Sequence, residues 1–174
     1  VLVVGPSGAG KDTLLTGARS RLAGLPRYRF VRRTITRRAG PSEDNEHLSE
    51  AQFTRAEAEG RFIVTWSAHG LRYGVPASAR DSVANGDIVI CNGSRHAVEV
   101  ILERFSSVRL VHVTAPRDVR LRRLIERGRD LDIESRLDRL ATDDVSWRAD
   151  LVIDNSGTIE DGVEALVTFL QSLP

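Results

Sequence analysis

The stretch Gly5-Pro6-Ser7-Gly8-Ala9-Gly10-Lys11-Asp12-Thr13 gathers glycines, a lysine and hydroxyls in the pattern that holds phosphate. Glycines 5, 8 and 10 let a loop wrap with its N–H groups inward. The helix beyond it adds the positive end of its dipole, and Lys11 reaches the outer phosphates of a nucleotide. Lys11 is the only lysine in the chain, which otherwise uses arginine. A glycine turn that merely joins strand to helix leaves that lysine unexplained. After Lys11 the usual magnesium-binding Ser or Thr is replaced by Asp12, with the hydroxyl one residue later at Thr13. Asp12 is thus the candidate metal ligand, because magnesium prefers hard oxygen donors. The competing reading is a carboxylate favoured by the helix dipole.

A second candidate anion binder is Asn92-Gly93-Ser94-Arg95, where a buried strand ends and a helix starts. Backbone N–H groups, the Ser94 hydroxyl and the Arg95 guanidinium can converge there on one anion. Arginine at a helix start opposes the dipole unless an anion is present. Arg33, Arg37 and Arg38 leave another strand end, the alternative for Arg33 and Arg38 being ordinary solvated charge. His96 and His112 have no metal-ligand spacing around them and read as structural, so no zinc site is expected.

The elements that position these residues are read from periodicity. An apolar run, Val1 to Val4, precedes the loop, and residues 11 to 22 carry leucine and alanine at helical spacing up to Gly24 and Pro26. Tyr28 to Thr36 alternates and reads as one strand, followed by a polar loop from Arg37 to Glu46. Ser49-Glu50-Ala51-Gln52 is a capping box opening a helix that Gly60 stops. Residues 61 to 66 and Leu71 to Tyr73 read as a hairpin about Ala68-His69-Gly70. Pro76 is expected to open a helix closing at Asn85-Gly86.

Asp87 to Cys91 is a buried strand, then comes a helix to about Arg104 and a strand from Val108 to Thr114. The arginine-studded helix after Pro116 is interrupted at Gly128, and a second runs from about Ile133 to Ala141. Asp150 to Asp154 is the last strand, and Thr158 caps the last helix. Strands alternating with helices predict an α/β fold, a parallel sheet with helices on both faces. Ligands gather at the carboxyl ends of such strands, where the phosphate loop, residues 33 to 38, residues 92 to 95 and Asn155 all fall.

Composition fits one soluble domain: 41% hydrophobic, 28% charged and a net charge of +1, which argues against a general nucleic-acid surface. The lone Cys91 sits in an apolar run and reads as a small buried hydrophobe in a reducing compartment. No apolar run approaches a membrane span and no signal peptide precedes the first strand, so the cytoplasm is the expectation. The chain opens inside a strand without a methionine, so a few residues before Val1 are expected.

The phosphate loop, Thr34-Ile35-Thr36-Arg37, the helix and hairpin ending in Tyr73-Gly74 and the late arginine-rich helices together resemble guanylate kinases over almost the whole chain. The resemblance implies a three-layer P-loop fold in one kinase domain, residues 1 to 174. Within it, residues 33 to 75 form a substrate-binding segment and about 122 to 145 a helical lid that closes when ATP binds. The acids that read guanine in that family are missing, because Val64, Cys91 and Gly93 stand at their places. A site built to pair base donors loses strongly without its acceptors.

Gly10-Lys11-Asp12-Thr13, Trp66 to Leu71, Tyr73 to Pro76, Asn92 to Arg95 and Arg127 to Arg129 are similar as a set to a narrower family, the ribose 1,5-bisphosphate phosphokinases of bacterial phosphonate breakdown. That resemblance implies transfer of the γ-phosphoryl group of ATP, with magnesium, to the phosphate on carbon 1 of the sugar, giving phosphoribosyl diphosphate. It implies that Arg37 and Tyr73 bind the acceptor phosphate and that Arg127 and Arg136 act as lid arginines. The alternative for these arginines is i,i+4 pairing with acids on an exposed helix. Asn155 resembles the position beside adenine. Ser94 and Arg95 are assigned the 5-phosphate. The second family arginine is Gly40 here, with Arg33 or Arg38 as its substitute. Roles for Glu43, Glu46, His47, His69 and the oligomeric state are not legible. A nucleoside monophosphate kinase and a non-catalytic guanylate kinase-like binding module are the alternatives, the latter opposed by the intact phosphate loop.

Overall fold

The computed structural model describes residues 1–37, 45–68, 70–126 and 148–174. In chain order the elements are β1 (Leu2–Val4), α1 (Lys11–Arg21), β2 (Tyr28–Val31), β3 (Thr34–Ile35), β4 (Glu46–His47), α2 (Glu50–Ala58), β5 (Phe62–Ala68) and β6 (Leu71–Pro76). Next come α3 (Ser78–Ala84), β7 (Ile88–Asn92), α4 (Arg95–Arg104), β8 (Leu110–Thr114), α5 (Arg117–Glu126), β9 (Leu151–Asp154) and α6 (Ile159–Ser172). No helix among the described residues is long and apolar enough to cross a membrane. The five-stranded sheet has the order β2-β7-β1-β8-β9, and a four-stranded sheet has the order β4-β3-β6-β5. The chain divides into two compact units, Val1–Leu2 with Gly24–Val108, and Val3–Ala23 with Arg109–Pro174.

In the second unit β8 and β9 pair in parallel from Val111 opposite Leu151 to Thr114 opposite Asp154. The Asp150 carboxylate accepts from the Leu110 N–H at 2.7 Å and fixes the start of that register. In α6, Val163, Leu166, Val167 and Leu170 form a buried stripe at helical spacing. Leu14 and Ala18 are the buried residues of α1. The two helices approach through glycine: a Cβ on Gly17 would lie 2.5 Å from a Val163 methyl, and one on Gly162 2.8 Å from a Leu14 methyl. Thr158 caps α6 as expected, accepting from the Asp161 N–H at 3.1 Å.

In the first unit β2 pairs in parallel with β7, Tyr28 opposite Ile88 through Val31 opposite Cys91. The hairpin β5–β6 is antiparallel, with Trp66 opposite Tyr73, and β3 joins it with Ile35 opposite Tyr73. The Ser49 capping box is complete, its side chain and that of Gln52 each bonding the other's backbone N–H. Two expectations are corrected. The single strand Tyr28 to Thr36 is two strands, β2 and β3, in different sheets. At the break, Arg32 donates to the Asn45 carbonyl at 3.0 Å, and Arg33 donates to the Asn45 side chain and the Asn92 carbonyl at 3.1 and 2.9 Å. The alternation continues through the switch, so periodicity cannot see it. Pro76 ends β6 opposite Phe62, and α3 starts at Ser78 after an Ala77 N-cap. A residue without an N–H suits a strand end as well as a helix start.

Candidate active site

The apolar β1 delivers the chain into the phosphate loop, whose path is fixed by close backbone approaches. Gly5 sits so close to β8 that a Cβ would lie 2.0 Å from the Val113 carbonyl oxygen. Gly10, the N-cap of α1, has φ +94°, a left-handed conformation that costs any side chain strain. The first N–H groups of α1 have no intrahelical acceptors, as at any helix start, and so can receive an anion. Lys11 Nζ donates to the carbonyls of Gly5 and Pro6 at 2.7 and 3.1 Å. The ammonium is thereby folded over the loop. Asp12 lies in the first turn of α1 with Thr13 beside it. These are hard oxygen donors next to a phosphate cradle, the donor chemistry that magnesium accepts.

Behind the loop is a buried brace. Asn155, 3% exposed, donates from Nδ2 to the Ala9 carbonyl at 2.8 Å, and its own N–H donates to Thr114. Arg123 donates to the Asn155 carbonyl at 2.9 Å, while its second terminal nitrogen is buried with no hydrogen-bond partner among the described residues. That nitrogen lies 3.7 Å from the point where a Gly10 Cβ would stand. Asn155 therefore holds the loop from beneath, and Arg123 holds Asn155. The sequence points to Arg123 only through its place in an arginine series, within which it favours Arg127 and Arg136. Those two lie outside the described residues, as do Arg38, Gly40, Glu43, His69, Gly128 and most of the expected lid.

The first unit brings together a different set. Tyr73 stacks on Trp66 with centroids 5.2 Å apart and planes 7° from parallel, and the Arg33 guanidinium lies 5.3 Å from the Tyr73 ring centroid. Arg33 is anchored by Asn45 and Asn92, so it is held rigidly instead of extending as a solvated charge. Arg37 is half-buried, and its carbonyl meets His47 Nδ1 at 2.9 Å. Glu46 accepts from Thr34 at 2.6 Å and from Arg61 at 3.0 Å. The Thr34 hydroxyl, with Arg61 adding to it, holds the Glu46 carboxyl below its ordinary value against the opposing effect of burial. Glu46 thus ties Arg61 to the β3–β4 pair.

Ser94 is the N-cap of α4 but makes no capping bond. Its hydroxyl oxygen is buried without a hydrogen-bond partner among the described residues. The first turn of α4 holds no acid. Val64 and Cys91, which the resemblance to guanylate kinases sets at the places of the guanine readers, are 3% and 7% exposed and share the wall of a cavity of about 220 Å³ with Val75, Ala79 and Ile101. Burial pushes the Cys91 thiol up, against a smaller opposing effect of Arg33, so it stays neutral. Nothing at these two places can accept from a base.

Comparison with known proteins agrees with the geometry. Residues 1–142 match the AAA domain family. Guanylate kinase from Anaplasma phagocytophilum superposes with a TM-score of 0.71 at 20% identity, over 99% of this chain and 84% of that one, which establishes a guanylate kinase-like fold. Ribose 1,5-bisphosphate phosphokinase PhnN of Methylobacterium radiotolerans is 45% identical over 99% of this chain and 97% of its own length. The protein of the same name from Brucella melitensis is 45% identical over 99% of this chain and 92% of its own. With such identity along nearly the full length of both relatives, this chain is a member of the ribose 1,5-bisphosphate phosphokinase family of P-loop kinases.

Proposed function

We propose that the chain transfers the γ-phosphoryl group of ATP to the 1-phosphate of ribose 1,5-bisphosphate, giving 5-phosphoribosyl 1-diphosphate and ADP in the cytoplasm, as a step of phosphonate breakdown. An oxygen of the 1-phosphate attacks the γ-phosphorus, and the bond to the oxygen bridging the β- and γ-phosphates breaks. That acceptor is largely ionised at neutral pH, its second pKa lying near ~6, so no general base is required. The chain supplies position and charge. The phosphate loop and Lys11 hold the nucleotide, Asn155 steadies the loop, and Arg127 and Arg136 neutralise charge on the transferred group. Magnesium, held by Asp12 with phosphate oxygens and water, supplies further charge neutralisation when bound.

On the acceptor side, Arg37 and Tyr73 take the 1-phosphate, with Arg33 beside the tyrosine, while Ser94 and Arg95 take the 5-phosphate. The observation that carries this reading is the start of α4. An unused, buried Ser94 hydroxyl, an arginine and no acid stand there, which suits an anion and not a base. The likeness to phosphokinases named for this substrate supports it. A turnover assay over ribose 1,5-bisphosphate, ribose 5-phosphate, guanosine monophosphate and adenosine monophosphate tests it. The bisphosphate is expected to be the preferred acceptor, and preference for a nucleotide overturns the reading. In the same assay Asp12→Asn is expected to raise the magnesium concentration needed for half-maximal rate. An unchanged requirement removes Asp12 from the metal site.

A further inference from the structure

Trp66 takes no part in the proposed transfer, yet its setting is unusual. It lies on the buried face of β5 with Val64 and Ala68 and is 7% exposed. Its indole lies nearly parallel to the Tyr73 ring, its cross-strand partner. The indole N–H is buried and finds no acceptor among the described residues. Packing alone does not ask for this residue. A smaller apolar side chain would bury no unsatisfied donor, which native chains rarely leave. What tryptophan brings is a broad flat ring surface, which an aliphatic side chain cannot supply and a phenylalanine ring supplies in large part.

A nucleoside monophosphate whose phosphate met Tyr73 and Arg33 would have to lay its base against nearby side chains. Bases bind by stacking on aromatic rings and by hydrogen bonds at their edges. The indole already covers Tyr73, and the edge-reading places hold Val64 and Cys91, both buried and apolar. A sugar bisphosphate needs neither a stacking surface nor edge partners.

We propose that Trp66 sets acceptor specificity: its indole takes the ground on Tyr73 that a nucleobase would occupy, so this region admits a base-free sugar bisphosphate and turns nucleoside monophosphates away. The inference rests on the acceptor assignment made under the proposed function. Trp66 acts by filling space and by setting the tilt of Tyr73, without touching the reacting atoms, and is a positioning residue.

Competition by guanosine and adenosine monophosphates against ribose 1,5-bisphosphate tests it in the full chain. In Trp66→Ala and Trp66→Leu the inhibition constant of the nucleotides is expected to fall about tenfold, roughly 1.4 kcal/mol. The KM for ATP should stay at the wild-type value. Added indole, refilling the space in Trp66→Ala, should push the nucleotides out again. Trp66→Phe keeps a flat ring on Tyr73 and should exclude nucleotides nearly as well as the wild type. If the alanine variant does not fold, the leucine variant carries the test. Nucleotide inhibition equal to wild type in the folded small variants overturns the inference, and so does a phenylalanine variant as permissive as alanine. Wild-type protein that prefers a nucleotide acceptor defeats the functional reading instead, whatever the variants do.

Discussion

The phosphate loop of the second unit and the proposed acceptor region of the first are built from different materials. The loop is backbone: glycines with no room for a Cβ, carbonyls against Lys11, and Asn155 and Arg123 bracing it from below. The acceptor region is side chains on a sheet and a helix start: Arg33, Trp66, Tyr73, Ser94 and Arg95. Backbone recognition grips what every nucleotide triphosphate shares, and side-chain recognition can be exchanged one residue at a time. On the proposed reading, one kinase fold can change acceptor through single side chains at places such as Val64 and Cys91 while its phosphate loop stays the same.

The largest effect should come from breaking the donor end. Lys11→Ala is expected to lower kcat on the order of a hundredfold or more, since it removes a cation from charge developing in the transition state. Single-turnover measurement with saturating substrates checks this, and a loss under about tenfold would mean that the loop backbone alone suffices. A smaller and selective effect is expected from the acceptor end. Arg95→Ala should raise the KM for the sugar bisphosphate by about 10- to 100-fold, the worth of a charge-assisted hydrogen bond, and leave that for ATP near wild type. Equal changes in both constants would erase the contrast between the two regions.

The smallest effect sharpens the contrast through pH. Because the Thr34 hydrogen bond lowers the folded-state value of Glu46, its contribution to stability is present above pH 4.5 and is lost as pH falls through that lowered value. Thermal unfolding of wild type and Glu46→Gln should therefore differ slightly at neutral pH and converge on acidification below about pH 4.5. Curves that stay parallel would show that Glu46 does not hold β3 and β4 together.

The geometry of the phosphate loop was legible because its constraints are local. Glycine spacing, one lysine and a helix start suffice to name Gly5 through Thr13, and the Ser49 and Thr158 caps were legible for the same reason. The arrangement of the proposed acceptor region was legible only in part, because its geometry comes from register between strands distant in sequence. Arg33 has the look of a solvated strand-end charge until Asn45 and Asn92, 12 and 59 residues away, are seen to anchor it. The pairing of Trp66 with Tyr73 depends on the hairpin register, and the break after Val31 is invisible in an alternation that runs on unbroken. Asn155 as a brace for Ala9, 146 residues earlier, has no local signature at all.

The glycine contacts of Gly17 with Val163 and of Gly162 with Leu14 also set a timetable. The helix that carries Lys11, Lys11–Arg21, is synthesised well before the helix that packs on it, Ile159–Ser172. At synthesis rates of about 5–20 residues per second, α1 waits roughly 7–30 s for α6. During that interval the apolar side of α1 lacks its mate. The segment Gly24–Val108 is therefore complete before α6 exists, and α1 settles against its partner helix only after that segment has been made.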